Sequence, residues 1–204
     1  MSFEYKAPWP LPLILTRTSL TKYTLLSRHL FHCKGLENKV SQTWMIGGQA
    51  TMQKARTACP RAFALRQRIL QFLQSLLYYT QCEVIEPLWK EMEAVLTNSK
   101  STLDDFIASH ADFLDTCIIQ CMLTSEPVLK TIYKLLMICR DFTGMFSSLV
   151  SGSRDQTHLQ WYTQTETRFG ELGLDLIKGL RKISNLNQDG EKAASFLRSL
   201  ECLT

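Results

Sequence analysis

Residues 5–44 read YKAPWPLPLILTRTSLTKYTLLSRHLFHCKGLENKVSQTW, and this stretch combines two patterns. Three prolines fall within its first eight residues, and proline lacks a backbone donor and biases the residue before it toward extended geometry. We therefore expect an extended Pro-rich strap over residues 1–17, whose apolar side chains lie against a helical body. Apolar residues then recur at spacings near 3.6, and Thr18 or Ser19 can cap a helix, so one long amphipathic helix of about 25–30 residues is predicted.

The rest of the chain repeats the helical spacing, and no strand-like alternation follows residue 15. Residues 47–60 hold two glycines and predict a polar loop. Five more helices are predicted, and they begin near Pro60, Ser101, Pro127, Gln156 and Gly190. The predicted fold is therefore all-α, a bundle of long antiparallel helices, with core helices over 18–150 and C-terminal helices over 151–204.

Local signals are informative at two points within these helices. Pro87 lies inside the periodic pattern of the second helix, and an internal proline removes a backbone hydrogen bond, so we expect a kink or short break near residues 82–86. Ser101 and Asp104 have a spacing like that of a capping box, which predicts the start of the third helix.

Composition indicates a globular protein. The chain has 204 residues, of which 45% are hydrophobic and 21% charged, as expected for one folded domain or slightly more. It contains no 18-residue uncharged apolar run, and Glu4 and the nearby prolines interrupt any signal peptide. Most of the seven cysteines occupy apolar helical positions, so we expect small buried side chains in a reducing compartment such as the cytoplasm.

Charge is distributed unevenly along the chain. Residues 1–70 contain 11 Lys and Arg but two acidic residues, a net charge of +9. Residues 71–204 contain 12 Lys and Arg and 17 acidic residues, a net charge of −5. A basic first third implies an acidic partner, which can be nucleic acid, a membrane surface or a protein. Charge pairing between the two parts of the chain is the alternative explanation.

No catalytic motif is found, since the sequence lacks a glycine-rich phosphate loop, a nucleophile elbow and an HExxH motif. We therefore predict that the chain is not an enzyme and uses no cofactor. His29, Cys33, Cys117 and Cys121 could imitate a zinc site, but all four lie on apolar stripes and no CxxC pair exists, so no metal is expected. Asp112 and Asp115 follow His110 and might suggest acid–base chemistry, yet its place on an apolar stripe predicts a hydrogen-bonded, half-buried side chain.

Three segments in the same order carry a family resemblance, namely WPLPLILTRTSLTKYTLLSRHLFHCK at 9–34, FALRQRILQFLQSLLYYTQCEVIEPLWKEME at 63–93 and HADFLDTCIIQCMLT at 110–124. They resemble the gamma-tubulin complex protein family. In that family a Trp-Pro-Leu segment leads into a helix with a tyrosine, an Arg-His pair and a Cys-Lys pair, here Trp9-Pro10-Leu11, Tyr23, Arg28-His29 and Cys33-Lys34. The resemblance covers roughly residues 3–200 and implies that residues 1–204 are part of the C-terminal domain of a longer protein.

The resemblance implies a gamma-tubulin-binding component of the gamma-tubulin complex. Such a component contributes to microtubule nucleation at microtubule-organising centres and spindle poles, in the cytoplasm and cytoskeleton. The implied partners are gamma-tubulin and other components of the complex, with no nucleic acid and no membrane. Because tubulins are acidic, a basic segment can raise the encounter rate and orient the partner. The candidate contact residues are basic residues of the first two helices, namely Arg17, Lys22, Arg28, Lys34, Arg61, Arg66 and Arg68.

Two other functions stay open from the residues alone. A nucleic-acid-binding helical module is permitted by the basic segment, although its aromatic residues fall on core stripes and the pI of about 8.7 is low for such a domain. A self-associating helical scaffold is the second, in which residues beyond about 156 bury a helical face against other copies.

Overall fold

The computed structural model describes residues 5–43, 53, 57, 59–98, 101–150, 156–186, 196–198 and 200. Within these ranges it has six α-helices and no β-strand, which confirms the all-α bundle. The helices are α1 Arg17–Gln42, α2 Pro60–Tyr78, α3 Glu86–Thr97, α4 Leu103–Gln120, α5 Glu126–Val150 and α6 Gln156–Leu186. None of the described helices is both long enough and apolar enough to cross a bilayer. Most of the loop predicted over 47–60 lies outside the described residues.

Helix α1 is 26 residues long, as its periodicity predicts, but its cap is not the expected residue. The hydroxyl of Thr16 accepts a hydrogen bond of 3.2 Å from the backbone nitrogen of Ser19. The prediction of Thr18 or Ser19 as the cap is therefore wrong. Thr16 directly precedes the first helical residue, where its oxygen reaches the unpaired N–H groups of the first turn.

The Pro-rich strap over residues 1–17 is not confirmed. Residues Leu11–Leu13 form a short 3₁₀-helix instead of an extended segment. The fixed backbone angle of proline is compatible with a 3₁₀ turn, which explains how Pro12 is accommodated there. Trp9 is 84% exposed and Leu13 is 50% exposed, so these apolar side chains do not lie against a helical body as expected.

The irregularity predicted near Pro87 is present, but the chain stays helical through it. Residues Tyr79–Ile85 form a π-helical segment between α2 and α3. Pro87 then falls in the first turn of α3, directly after the π segment. The π segment is held by Tyr79, whose hydroxyl donates to the carbonyl of Gln120 at 2.9 Å. That carbonyl is one of the last in α4 and needs a partner from outside its helix.

A capping box opens α4, one residue later than predicted. The cap is Thr102, and Asp105 occupies the position that the sequence analysis assigns to Asp104. The Thr102 hydroxyl accepts from the Asp105 nitrogen at 3.2 Å, and the Asp105 carboxylate accepts from the Thr102 nitrogen at 2.9 Å. This backbone hydrogen bond lowers the pKa of Asp105, because it favours the charged carboxylate.

One compact unit consists of the described residues of Met1–His32 and Leu77–Glu126. Its core includes fully buried side chains such as Val84 and Leu114. Helices α3 and α4 are consecutive and pack against each other within it. The ring of Trp89 on α3 meets the ring of Phe113 on α4 edge-on, with centroids 5.9 Å apart.

A second unit consists of the described residues of Cys33–Leu76 and Pro127–Thr204. An aromatic cluster joins three of its helices. Phe146 on α5 contacts Phe63 on α2 at 5.1 Å between centroids and Phe142 at 5.4 Å, and Phe142 contacts Tyr162 on α6 at 6.1 Å. The Tyr162 hydroxyl donates to the carbonyl of Met145 at 3.0 Å, so its polar tip is satisfied in the core. The division of the chain at residue 150 stays a prediction.

The cysteines behave as buried hydrophobic side chains at five of the six described positions. Cys33, Cys59, Cys117, Cys121 and Cys139 are buried and only Cys82 is exposed, which confirms the expectation for most of them. Burial raises the pKa of the Cys33 and Cys121 thiols to about 12, so both stay protonated at neutral pH. Cys202 lies outside the described residues.

Candidate functional site

Two exposed basic residues of α1, Arg17 and Arg28, lie on one side of the helix. Arg17 and Arg28 are eleven residues apart, which is about three helical turns, so both project from the same face. Both are exposed, and neither forms an ion pair with a described residue. Leu25 and Phe31 lie three residues before and after Arg28 and are also exposed, Phe31 by 60%. We call these four residues the α1 basic face.

Lys22 has a partner within the fold. Its ammonium nitrogen lies 2.6 Å from a carboxylate oxygen of Asp115 on α4, and only 22% of the lysine side chain is exposed. The pair joins a residue of the basic first third to one of the acidic remainder. Charge pairing between the two parts of the chain, the alternative explanation given above, therefore accounts for part of the uneven charge.

Arg66 is a structural residue of α2 and is only 8% exposed. Its Nε donates to the Thr43 hydroxyl at 2.9 Å, and one terminal nitrogen donates to the carbonyls of Val40 at 3.0 Å and Ser41 at 3.3 Å. These carbonyls belong to the last turn of α1, where the helix dipole favours a cation. The acceptors of Arg66 are thus oxygens of this chain.

The remaining three candidates on α1 and α2 differ in exposure. Arg68 is partly buried, with its guanidinium 3.7 Å from a Glu166 carboxylate oxygen on α6. Lys34 is more than half exposed but lies 2.8 Å from Glu37, one turn along α1. Arg61, in the first turn of α2, is exposed and forms no ion pair within the described residues.

His110 is placed inside its unit and does not line a catalytic cleft. It is 4% exposed, and a hydrogen bond of 2.9 Å joins its Nε2 to the Tyr23 hydroxyl. This confirms the predicted hydrogen bond, with burial more complete than expected. Burial, with a smaller contribution from the Lys22 charge, lowers the pKa of His110. Among the described residues no three His, Cys, Asp or Glu side chains are grouped as metal ligands.

The buried histidine predicts a pH dependence of stability. Because the pKa of His110 is lower in the folded chain than in the unfolded one, the unfolded chain binds more protons below about pH 6.5. The free energy of unfolding should therefore fall as the pH drops from 7 to 5. We expect a shallower fall for His110→Gln, which keeps a hydrogen-bonding group opposite Tyr23 but does not titrate. Urea unfolding at pH 5, 6, 7 and 8 measures the free energy of unfolding of the unsubstituted chain and of His110→Gln. The same pH dependence for the two proteins would contradict the prediction.

Sequence reasoning missed the exposed apolar residues of the α1 basic face. Leu25 and Phe31 lie outside the buried stripe of α1 that contains Leu26 and Cys33. Their positions relative to this stripe could have predicted that they are exposed. Exposed apolar side chains beside unpaired arginines are typical of a surface that contacts another protein. The structure therefore defines an all-α helical domain with a basic, partly apolar surface on α1.

The chain belongs to the gamma tubulin complex component C-terminal family, whose model matches residues 1–202. This confirms the resemblance seen in the three quoted segments. Gamma-tubulin complex component 2 of Mus musculus is 38% identical over 160 residues, covering 78% of this chain and 18% of the relative. Gamma-tubulin complex component 2 of Arabidopsis thaliana is 37% identical over 163 residues, covering 78% of this chain and 24% of the relative.

A third relative is the spindle pole body component alp4 of Schizosaccharomyces pombe, which is 35% identical over 158 residues, covering 74% of this chain and 20% of the relative. The chain therefore spans about a fifth of the length of these curated relatives.

Proposed function

We propose that this chain is the gamma-tubulin-binding part of a gamma-tubulin complex component and contributes to microtubule nucleation at microtubule-organising centres. The observation that carries the proposal is the family match over residues 1–202. The names of the relatives, which include a spindle pole body component, support a place in the cytoplasm and cytoskeleton. The partners are gamma-tubulin and other components of the complex, and the role is structural rather than enzymatic.

The α1 basic face is the first part of the proposed contact with gamma-tubulin. Arg17 and Arg28 are exposed cations without an ion pair among the described residues, so their charge is available to an acidic partner. Arg61 of α2 and, more weakly, Lys34 stay separate candidates, because both are exposed. Lys22, Arg66 and Arg68 already contact groups of this chain, and we assign them to the fold.

Binding to purified gamma-tubulin tests this proposal. Interferometry with the full 204-residue chain should show saturable binding that weakens when salt is raised, because charged contacts are screened. Arg17→Glu with Arg28→Glu should weaken binding at low salt about tenfold or more. Lys134→Glu with Lys182→Glu is the matched control, since both lysines are exposed on other helices, and it should change the affinity little.

A DNA duplex of random sequence in the same assay separates the alternatives. Binding to DNA with an affinity similar to that for gamma-tubulin would support the nucleic-acid module instead. Absence of gamma-tubulin binding, with a circular dichroism spectrum of intact helices, would contradict the proposed function. If both double variants weaken gamma-tubulin binding equally, the net charge of the chain determines the affinity, rather than the α1 basic face.

A further inference from the structure

A groove with a volume of about 450 Å³ lies between α3 and α4, and half of the residues that line it are apolar. Its α3 side presents Leu88, Met92 and Val95, which follow the i, i+4, i+7 spacing of one helix face. Its α4 side presents Phe113 together with small and polar side chains over residues 105–116, a length of about 16 Å at 1.5 Å per residue. The groove is therefore long enough for about three turns of another helix.

The rim of the groove is acidic. Glu91, Asp105 and Asp112 line it, and among the residues that the structure describes no lysine or arginine does. Asp105 is occupied by the capping box, but Glu91 and Asp112 are exposed and form no ion pair with a described residue. A basic partner would therefore meet two available carboxylates beside an apolar floor.

An aromatic side chain lies next to this floor. Trp89 is 46% exposed, and its ring rests edge-on against Phe113, which lines the groove. Half-exposed tryptophans beside apolar pockets are frequent anchors of protein–protein contacts. Met92 also lines the groove but is only 5% exposed, so the partly exposed Leu88 and Val95 supply most of the accessible apolar surface of α3.

We propose that the α3–α4 groove binds a basic amphipathic helix of another protein. The apolar face of that helix would fill the floor through residues spaced i, i+3, i+4 and i+7, and flanking lysines or arginines would pair with Glu91 and Asp112. The inference does not depend on the proposed function, because gamma-tubulin is acidic and is assigned to the α1 basic face.

A designed peptide provides the probe. A fluorescein-labelled helix of about 14 residues, with leucines on one face and lysines beside them, is titrated with the full chain and followed by fluorescence anisotropy. Glu91→Lys with Asp112→Lys should weaken binding about tenfold. Glu171→Lys with Asp175→Lys changes the charge equally on α6, where both residues are exposed, and should leave the affinity within about twofold. Val95→Asn tests the apolar floor and should also weaken binding several-fold.

Three results would overturn the proposal. One is equal binding of a peptide with the same composition but scrambled leucines, because charge alone would then explain the signal. Another is an unchanged affinity of the Glu91→Lys, Asp112→Lys double variant for the peptide, once circular dichroism has verified that the variant is folded. The third is a dimer in sedimentation velocity that this double variant abolishes, since a second copy of the chain would then occupy the groove.

Discussion

Arg66→Met is expected to lower the free energy of unfolding by about 3 kcal/mol. Methionine has a similar length but cannot donate, so the carbonyls of Val40 and Ser41 and the hydroxyl of Thr43 lose a charged donor. Hydrogen bonds from a charged group contribute about 1.5–3 kcal/mol, and a polar group left buried without one is costly. Urea unfolding followed by circular dichroism at pH 7 measures the change.

Arg61→Met is the matched control, because Arg61 lies on the same helix but is exposed. We expect it to change the free energy of unfolding by less than about 0.5 kcal/mol. The loss in free energy of unfolding for Arg66→Lys should lie between those for Arg66→Met and Arg61→Met. A lysine supplies the charge but not the planar guanidinium that reaches several oxygens. Equal stability of Arg66→Met and Arg61→Met would contradict a structural role for Arg66.

This result also affects how the proposed contact with gamma-tubulin is mapped. A charge reversal at Arg66 would place a carboxylate among the last carbonyls of α1 and destabilise the unit. Reduced gamma-tubulin binding by such a variant would report loss of folded protein rather than loss of a contact. Arg17 and Arg28 are the informative positions because they are exposed.

The helices could be predicted from the sequence because amphipathic spacing is a local property. Helix α6 is predicted to begin near Gln156 and does so. The caps were less predictable, since Ser101 and Thr102 offer similar hydroxyls one residue apart. The extended backbone of Thr102, which sets its oxygen against the Asp105 nitrogen, decides between them.

The roles of the basic residues could not be predicted in the same way. Sequence spacing shows that residues 1–70 are basic, but it does not show that Asp115 lies beside Lys22. The acceptors of Arg66 include backbone carbonyls, which every residue has and which leave no signal in the sequence. Charge counting therefore found the basic segment but could not show which of its residues are paired within the fold.

The α3–α4 groove depends on how two helices pack. The acidic residues of α3 are visible in the sequence, but the opposing residues 105–116 come from α4 across a turn. The size of the gap between the helices is set by small side chains such as Ala108 as much as by the large ones. Trp89 is 46% exposed, and the sequence does not show this, because the exposure of a side chain depends on how the helices pack.

Phe142→Ala is expected to lower the free energy of unfolding by about 3–5 kcal/mol. Phe142 is fully buried in α5, and its ring contacts Phe146 on the same helix and Tyr162 on α6. Alanine removes the transfer free energy of the ring and leaves a cavity that neighbours on rigid helices fill only in part. Because Phe146 also contacts Phe63 on α2, the loss of the Phe142 ring weakens packing among α2, α5 and α6. Urea unfolding measures the change.

Tyr133→Ala is the control for this prediction, since Tyr133 lies on α5 as well but is more than half exposed. Its cost should stay below about 1 kcal/mol. Phe142→Leu keeps much of the buried volume and should cost less than Phe142→Ala, which gives a measurable variant if the alanine protein does not fold. A cost for Phe142→Ala no larger than that for Tyr133→Ala would show that the aromatic cluster does not hold α2, α5 and α6 together.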